Sequence, residues 1–265
     1  MYRGLSVSVV IPCFNEEHGI AAVLKSMPDY VDQVVVVDNN STDETGRIAQ
    51  EMGAEVVFET RKGYGNAYKA GFPRARGDIV ATADGDGTYP TYSIAPIIDY
   101  LLDKKLDFVS ASRFPLRNPK AMRWRNVLGN MILTYTTRVL WLRWIADSQS
   151  GMWVFRRDVL NRIDLESGGM PFSEEIKLDV IDNPRLRFGE YHVDYSERIG
   201  ETKLFAWKDG VENEVFLFKL RLRRLLPKSN VQSPMSKVMS PSEAKAPNPT
   251  VVPGEVKSET PRSKV

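Results

Sequence analysis

Short apolar runs rich in β-branched residues recur along the first part of the chain, and each of them ends in a polar turn. These runs predict strands, and they read SVSVVIPCF at 6–14, QVVVVDNN at 33–40, AEVVFET at 54–60, DIVATADGD at 78–86 and LDFVSASRF at 106–114. The segments between them predict helices at 17–27, 43–52, 65–76 and 92–104. Continuous apolar strands that alternate with helices are typical of βαβ units, so we expect an α/β fold with a mainly parallel sheet flanked by helices.

The pattern changes after about residue 113. A basic, aromatic segment at 120–145 predicts a helix, and SGMWVFRRDVL at 150–160 predicts a strand that enters a helix. A short helix, a half-buried strand and a basic amphipathic helix are predicted at 173–181, 186–198 and 209–226. From Pro227 the chain is rich in Ser, Pro and Lys without periodicity, which is typical of disorder. We therefore predict one domain at 1–228 and a disordered tail at 229–265.

Two carboxylates follow the fourth predicted strand, Asp84 and Asp86. Ligands of parallel sheets bind at the carboxyl ends of the strands, so this turn is a candidate site. The simpler interpretation is an ordinary acidic turn, because Asp-Gly is a common turn pair. Carboxylates this close repel each other unless a cation lies between them. Oxygen ligands of this kind suit Mg²⁺ or Mn²⁺, which shares its shell with substrate phosphates, so the turn predicts a metal that carries a nucleotide diphosphate.

Two further turns offer groups to a nucleotide. Asp38 ends the second predicted strand, where an acid can accept hydrogen bonds from a ribose or a base; the alternative is a strand end followed by a helix cap. Lys62 lies in TRKGYGNAYKAG at 60–71, a basic loop that leads into a helix and either meets phosphate or is a solvated turn. The loop follows the third strand and has Tyr68 where a dinucleotide fingerprint requires glycine, so a dinucleotide site is rejected.

Charge is nearly balanced over the 265 residues, with 36 Lys and Arg against 34 Asp and Glu, but it is unevenly placed. Between Arg113 and Arg143 there is no acidic residue, and the basic residues are mixed with large apolar ones. That mixture favours a helix on a membrane surface over a nucleic-acid site. The alternative is a core helix with a solvated basic face. The residues expected to meet a lipid chain or the bilayer are Met131, Ile132, Leu133, Leu140, Trp141, Leu142, Trp144 and Ile145.

The single cysteine, Cys13, allows no internal disulfide and suits a reducing compartment. The first residues lack the basic and apolar regions of a signal peptide. Residues 127–146 have the length of a membrane span, but Asn130, Arg138 and Arg143 interrupt them, so no span is predicted. His18 and His192 have no metal-ligand spacing and are expected to be structural or surface residues.

The chain resembles family 2 glycosyltransferases, and most closely the polyprenyl-phosphate sugar synthases such as dolichol-phosphate mannose synthases. The resemblance covers roughly residues 5–215 and rests, in this order, on VVIPCFNEE, VVVVDNNSTDET, RKGYGNAYKAG, ATADGDGTYP, DSQSGMWVFRRD and YSERIGETKLFAWKDG. It implies a GT-A (nucleotide-diphospho-sugar transferase) fold. It also implies an inverting transfer of a hexose from a donor of the GDP-mannose or UDP-glucose type to a polyprenyl phosphate. The alternative acceptor is a hydroxyl of a soluble molecule or a polysaccharide.

The resemblance also assigns roles to residues of this chain. The implied nucleotide-sugar contacts are Pro12, Asn15, Glu16, Asp38, Lys62 and Asp84. The implied metal, Mg²⁺ or Mn²⁺, is held by Asp86 and Asp84, and the implied catalytic residues are Asp147, Asp86 and Arg198. The residues expected at the acceptor phosphate are Arg113, Arg125, Arg198 and Lys203. Thr88 departs from the family, since many dolichol-phosphate mannose synthases have a Gln there that joins the metal shell.

The nature of the acceptor decides whether a base is required. A phosphate monoester is already mostly ionised near neutral pH, because its second pKa is about 6, and it can attack the anomeric carbon without a base. Asp147 would then position the sugar. A hydroxyl acceptor requires a base, for which Asp147, Glu174 and Glu175 are the candidates. A lipid acceptor implies a peripheral position on the cytoplasmic face of a membrane, with a membrane-embedded partner as a further possibility.

Overall fold

The computed structural model describes residues 1–200 and 206–225. Its centre is a seven-stranded sheet in the order β3-β2-β1-β4-β6-β5-β7. The strands are β1 (Val7–Cys13), β2 (Gln33–Asp38), β3 (Glu55–Phe58), β4 (Ile79–Thr82), β5 (Phe108–Ser112), β6 (Trp153–Arg156) and β7 (Phe188–His192). All pairings are parallel except those of β6, which runs antiparallel to β4 and β5. The predicted α/β fold with a mainly parallel sheet is confirmed.

Helices lie between the strands where the apolar spacing predicts them. They are α1 (Ile20–Lys25), α2 (Thr45–Glu51), α3 (Tyr64–Gly71), α4 (Ile94–Asp103), α5 (Trp124–Trp141), α6 (Phe172–Asp182) and α7 (Ala206–Leu225). Several are shorter than predicted. The helix expected at 65–76 ends at Gly71, because the chain tightens into a 3₁₀ turn that contains Pro73. The helix expected after β6 is only a 3₁₀ turn, Arg157–Asn161.

Both faces of the sheet are buried. Along β1, Val9 and Ile11 face a core formed with α1 and α4, whereas Val10 faces the opposite core. This alternation is the period of two that a strand imposes on its side chains. The second core is largely aromatic and packs Tyr68 of α3 and Phe172 of α6 as stacked rings, with centroids 5.6 Å apart. The continuous apolar runs of the sequence are therefore explained by burial on both sides.

A third cluster attaches α5 and α7 to α6. It contains Leu133, Trp141 and Ile145 from α5 and the turn after it, Leu178 from α6, and Leu217 and Leu220 from α7. The expectation that Leu133, Trp141 and Ile145 meet a lipid is therefore wrong, because all three are buried in protein. The membrane-facing set expected from the sequence mixed the buried face of this segment with its exposed face.

Within the described ranges, no helix combines the length and the apolar character that crossing a bilayer requires. Two predicted features, the tail at 229–265 and the phosphate contact Lys203, lie outside these ranges.

Candidate active site

A cavity of about 410 Å³ lies over the carboxyl ends of β1, β2 and β4. We call it the strand-end cavity. Residues from seven separate segments of the chain line it, among them Pro12, Phe14, Glu16, Asn39, Lys62, Tyr64, Asp84, Asp86, Met170, Arg198 and Glu212. The structure thus brings together most of the residues that the sequence assigned to a nucleotide sugar and a metal. Asp38 and Asn15 are not in this lining.

Asp38 and Asn15 instead shape the neighbouring turn. The carboxylate of Asp38 accepts a hydrogen bond from the backbone N–H of Ser41 at 2.9 Å. The side-chain oxygen of Asn15 accepts one from the backbone N–H of Thr42 at 2.8 Å. Asn15 has a φ of +55°, in the left-handed region that asparagine tolerates better than most residues. Their contact with a nucleotide stays a prediction.

Asn39 is a residue that sequence reasoning missed. Its side chain donates hydrogen bonds to the backbone oxygens of Glu59 and Arg61, at 3.1 and 2.8 Å, and accepts one from the N–H of Gly63 at 2.7 Å. It therefore fixes the loop that carries Lys62, whose ammonium lies 4.6 Å from the centroid of the Phe14 ring. The paired asparagines after β2 were the only signal in the sequence.

Asp86 is almost completely buried, and its carboxylate has partners on both oxygens. The backbone N–H and the hydroxyl of Thr88 donate to Oδ1, at 3.0 and 2.7 Å. Nη1 of Arg198 lies 2.8 Å from Oδ2, and the same guanidinium pairs with Glu16. Thr88 thus orients Asp86, and Arg198 joins the turns after β1 and β4.

Asp84 lies beside this cluster, and among the side chains that the structure describes none neutralises its carboxyl by direct contact. Burial, followed by the nearby charge of Asp86, raises the pKa of Asp84 to about 7. A carboxyl whose ionisation is this unfavourable gains from an added cation, because opposite charge favours the ionised form.

The donor set at this position fits Mg²⁺ or Mn²⁺. No cluster of three or more His, Cys, Asp or Glu side chains in residues 1–200 and 206–225 is arranged to hold a metal. Asp84 and Asp86 alone offer hard oxygen ligands, and Mg²⁺ is commonly held by one or two carboxylates with substrate phosphates and waters completing the shell. The residues present therefore fit a divalent cation that binds together with a diphosphate.

Asp147 forms a buried ion pair with Arg113. Nε of Arg113 lies 2.7 Å from Oδ2 of Asp147, Nη2 donates to Oδ1 at 2.9 Å, and the backbone N–H of Arg113 adds a third hydrogen bond at 3.1 Å. Burial alone would raise the pKa of Asp147, but the charge and hydrogen bonds of Arg113 outweigh it and hold the pKa below its ordinary value. The expected cation Arg113 is therefore already paired, and Asp147 is a poor base.

A second cavity, of about 350 Å³, adjoins the first and shares Asp86, Met170 and Arg198 with it. We call it the basic cavity, because Lys120, Arg123 and Arg125 line it and are exposed to solvent. None of the three forms an ion pair with another residue of the described chain. Their charges are thus available to an anion, and the contact of Arg125 with an acceptor phosphate stays a prediction.

The other candidate bases are also engaged. Glu174 is buried and accepts a hydrogen bond from Gln149, which in turn accepts one from Asn213 at 2.9 Å. Burial raises the pKa of Glu174 to about 8. Glu175 accepts hydrogen bonds from the backbone N–H groups of Glu166 and Ser167, at 3.1 and 2.9 Å. Neither glutamate lines either cavity, so both are structural.

The family model and the two relatives described next all belong to enzymes that transfer sugars. Residues 8–164 match the family model described as "Glycosyl transferase family 2". The low-salt glycan biosynthesis hexosyltransferase of Haloferax volcanii is 34% identical over 224 residues, which is 80% of this chain and 53% of that protein. The dolichyl-phosphate hexose transferase of the same organism is 31% identical over 211 residues, covering 77% of this chain and 89% of that protein. The chain thus spans only about half the length of the first of these relatives.

Solved structures share the fold. Glucosyl-3-phosphoglycerate synthase from Mycobacterium tuberculosis, in complex with Mn²⁺, UDP-glucose and phosphoglyceric acid, superposes with a TM-score of 0.67. The match covers 89% of this chain and 92% of that one at 22% identity. The predicted GT-A fold is confirmed.

We predict that Arg113→Met lowers the free energy of unfolding by about 3–5 kcal/mol at neutral pH, because it leaves the buried Asp147 carboxylate without its arginine. In the unaltered protein the pKa of Asp147 is lowered, so its stabilising contribution is present at neutral pH and is lost as the pH falls through that pKa. In the variant the pKa should rise above its ordinary value, so the loss should shrink as the pH falls toward about 4.

Denaturant unfolding of the variant and the unaltered protein, at neutral pH and at a pH of about 4, measures this loss of unfolding free energy. The control is Arg117→Met, whose arginine is 69% exposed and lies 3.1 Å from Asp194; it should cost at most about 1 kcal/mol. Equal losses for the two variants would contradict the importance of the buried pair.

Proposed function

This chain belongs to glycosyl transferase family 2, and from that premise we propose that it is an inverting enzyme that moves a hexose from a nucleoside diphosphate sugar to a polyprenyl phosphate. One observation carries the proposal. Two adjoining cavities share Asp86 and Arg198, and one holds carboxylates at the strand ends while the other carries unpaired cations. An anionic acceptor can therefore approach the same point that a metal-bound diphosphate occupies.

The donor binds in the strand-end cavity. Pro12, Glu16, Lys62 and Asp84 are the nucleotide-sugar contacts, with Lys62 positioned by the loop that Asn39 fixes. Asp84 and Asp86 hold a divalent cation, which neutralises charge on the departing diphosphate when it is bound. Arg198 supplies a further positive charge beside Asp86. The donor is of the GDP-mannose or UDP-glucose type.

The acceptor phosphate binds in the basic cavity through Arg125, assisted by Lys120 and Arg123. Each candidate base lies in a buried hydrogen-bonded position outside the cavities, and Asp147 is held ionised by Arg113. An acceptor that needs no base is the chemistry such a site supports, because a phosphate monoester is already ionised near neutral pH. Asp147 acts through Arg113, whose side chain it positions at the edge of the basic cavity.

The names of two relatives support a polyprenyl-phosphate acceptor. One is a dolichyl-phosphate hexose transferase, and another is a UDP-N-acetylglucosamine–dolichyl-phosphate N-acetylglucosaminyltransferase of Methanococcus voltae, 28% identical over 179 residues. A lipid acceptor requires access to a membrane surface. The proposal therefore includes a peripheral position on the cytoplasmic face of a membrane, with or without a membrane-embedded partner.

We expect transfer to a short polyprenyl phosphate from one member of a panel of nucleoside diphosphate sugars, in the presence of Mg²⁺ or Mn²⁺. Product formation is measured by chromatography and mass spectrometry for each donor. The same donors are offered with soluble sugars and polysaccharides. Transfer to a hydroxyl acceptor but to no polyprenyl phosphate would overturn the proposed acceptor class.

Asp86→Asn should lower turnover about a hundredfold or more, because it removes an anionic ligand from the carboxylate pair and with it the charge stabilisation of the leaving diphosphate. Binding of Mn²⁺, followed by electron paramagnetic resonance in the presence of nucleoside diphosphate, should weaken in parallel. Asp29→Asn alters an exposed carboxylate outside the cavities and should change neither quantity. Undiminished turnover of Asp86→Asn in the presence of a chelator would refute the metal assignment.

The double substitution Lys120→Gln and Arg125→Gln should raise the KM for the acceptor about tenfold, because two charge-assisted contacts to phosphate are lost. The donor KM and kcat should change little if these cations act only on acceptor binding. Steady-state kinetics, with the donor and the acceptor varied in turn, measures the acceptor KM, the donor KM and kcat separately. Arg117→Gln is the control, since Arg117 is exposed but does not line the basic cavity. A rise confined to the donor KM would contradict the assignment of Lys120 and Arg125 to the acceptor phosphate.

A further inference from the structure

Helix α5 exposes a stripe of large apolar side chains along the side opposite its buried face. The stripe recurs every three or four residues, which is one side of a helix. Its members are between 51% and 70% exposed, and they are Trp124, Leu128, Met131, Ile132, Tyr135 and Val139. Leu142 and Trp144, directly after the helix, are exposed by 84% and 78%.

Helix α7 carries a matching stripe. Its exposed apolar residues, between 46% and 66% exposed, are Val211, Val215, Phe218, Leu222 and Leu225. The helices lie side by side: the hydroxyl of Thr136 on α5 donates to Glu214 on α7 at 3.0 Å, and their buried residues meet in one cluster. Because both buried sides point into that cluster, both exposed stripes look outward. Together they form one surface, here called the α5–α7 face.

Cations surround the α5–α7 face. Arg123 and Arg125 lie at the start of α5, Arg143 follows its end, and Lys219 lies on α7; all four are exposed. The guanidinium of Arg138 lies 3.8 Å from the centroid of the Trp144 ring. Among the side chains that the structure describes, acidic groups enter this face at the start of α7, where Glu212 is exposed and Glu214 is bound to Thr136.

Two of the basic residues of α7 are already engaged in ion pairs. Arg223 pairs with Glu166, and Arg224 pairs with Asp179 and Asp182. Within the part of the chain that the structure describes, the basic residues of this face that form no ion pair therefore lie mainly along α5.

We propose that the α5–α7 face docks on the surface of an anionic lipid bilayer, with its apolar stripes inserted at the level of the head groups and its cations against lipid phosphates. The inference rests on the proposed function, since it gives the lipid acceptor a route to the site. The apolar centre and cationic rim match the two contributions to interfacial binding, which are apolar insertion and attraction to anionic lipid.

Charge argues against a second copy as the occupant. A two-fold contact brings the same patch of each copy together, so the cations of α5 would face one another without an acidic counterpart. The segment from Arg113 to Ala146 contains no Asp or Glu to complement them. Anionic phosphates supply the missing counter-charge.

The geometry also connects the face to the basic cavity. Arg123, Arg125, Asn126 and Gly129 line that cavity and belong to the start of the same helix that carries the stripe. A phosphate at head-group level therefore meets the mouth of the cavity while its hydrocarbon chain remains along the apolar stripe. The acceptor need not leave the bilayer to react.

The test is sedimentation of the full chain with vesicles, without nucleotide sugar or acceptor. Vesicles of phosphatidylcholine with and without phosphatidylglycerol are compared at low and high salt, because salt screens the attraction of cations to the surface but not apolar insertion. We expect binding to the anionic vesicles, with a salt-resistant part. A wild-type chain that stays in the supernatant at low salt would overturn the inference.

Two sets of variants locate the surface. Replacing Met131, Tyr135, Phe218 and Leu222 by Gln should lower vesicle partitioning about tenfold or more, mainly in the salt-resistant part. The matched control replaces Phe58 and Tyr92, which are 60% and 66% exposed elsewhere on the protein, by Gln. Arg143→Gln with Lys219→Gln should reduce the salt-sensitive part, with Arg74→Gln and Arg157→Gln as control. Equal losses in variants and controls would overturn the assignment, and thermal unfolding confirms that each variant is folded.

Two further measurements separate the rival outcomes. If sedimentation equilibrium shows a dimer that the Gln variants dissociate, the face binds a second copy and the inference is wrong. Transfer to a short polyprenyl phosphate in detergent tests the proposed function independently of docking. Transfer without vesicle binding refutes only the docking surface, whereas vesicle binding without transfer to any polyprenyl phosphate refutes the proposed acceptor and removes the role assigned to docking.

Discussion

Three buried carboxylates, those of Glu16, Asp86 and Asp147, have cations in contact, and the chain brings those cations from distant segments. Arg198 forms ion pairs with Glu16, which lies 182 positions earlier in the sequence, and with Asp86. Arg113 pairs with Asp147, which lies 34 positions later. An isolated buried charge is costly enough that none of these three acids could occupy its position without such a partner. These three ion pairs therefore determine how the turns after β1, β4 and β5 approach one another, and with them the shapes of both cavities.

The same charges divide the chemistry between the two cavities. In the strand-end cavity the acidic side chains outnumber the cations that contact them, so the raised pKa of Asp84 marks a place for added positive charge. In the basic cavity Lys120, Arg123 and Arg125 remain unpaired within the described residues, so that side accepts negative charge. Under the proposed function, the metal-bound diphosphate and the anionic acceptor meet at Arg198, which lines both cavities. Glycosyl transfer to a phosphate suits this division, because its demand is for charge stabilisation rather than proton removal.

The sequence correctly predicts the features that depend on residues close together in the chain. Strands buried on both faces leave continuous apolar runs, and the turns after them locate Glu16, Asp84 and Asp86 at one edge of the sheet before any coordinates are known. Sequence reasoning failed where the outcome depends on contacts distant in sequence. Nothing near Arg113 indicates that its charge is taken by Asp147, and nothing near Asn39 indicates that it holds the loop of Lys62. The antiparallel position of β6 between β4 and β5 is likewise a property of the whole sheet.

Helix α5 shows why the prediction of the lipid-facing residues was partly wrong. Its sequence is apolar on two sides, with Leu133 and Trp141 on one and Leu128, Met131 and Tyr135 on the other, so periodicity alone cannot say which side faces the protein. The packing of α6 and α7 decides it by covering Trp141. A helix with one apolar side needs one partner, whereas a helix with two such sides needs two. The core satisfies the first side of α5, and the cations that border the second side match the phosphate-rich partner that we propose for it.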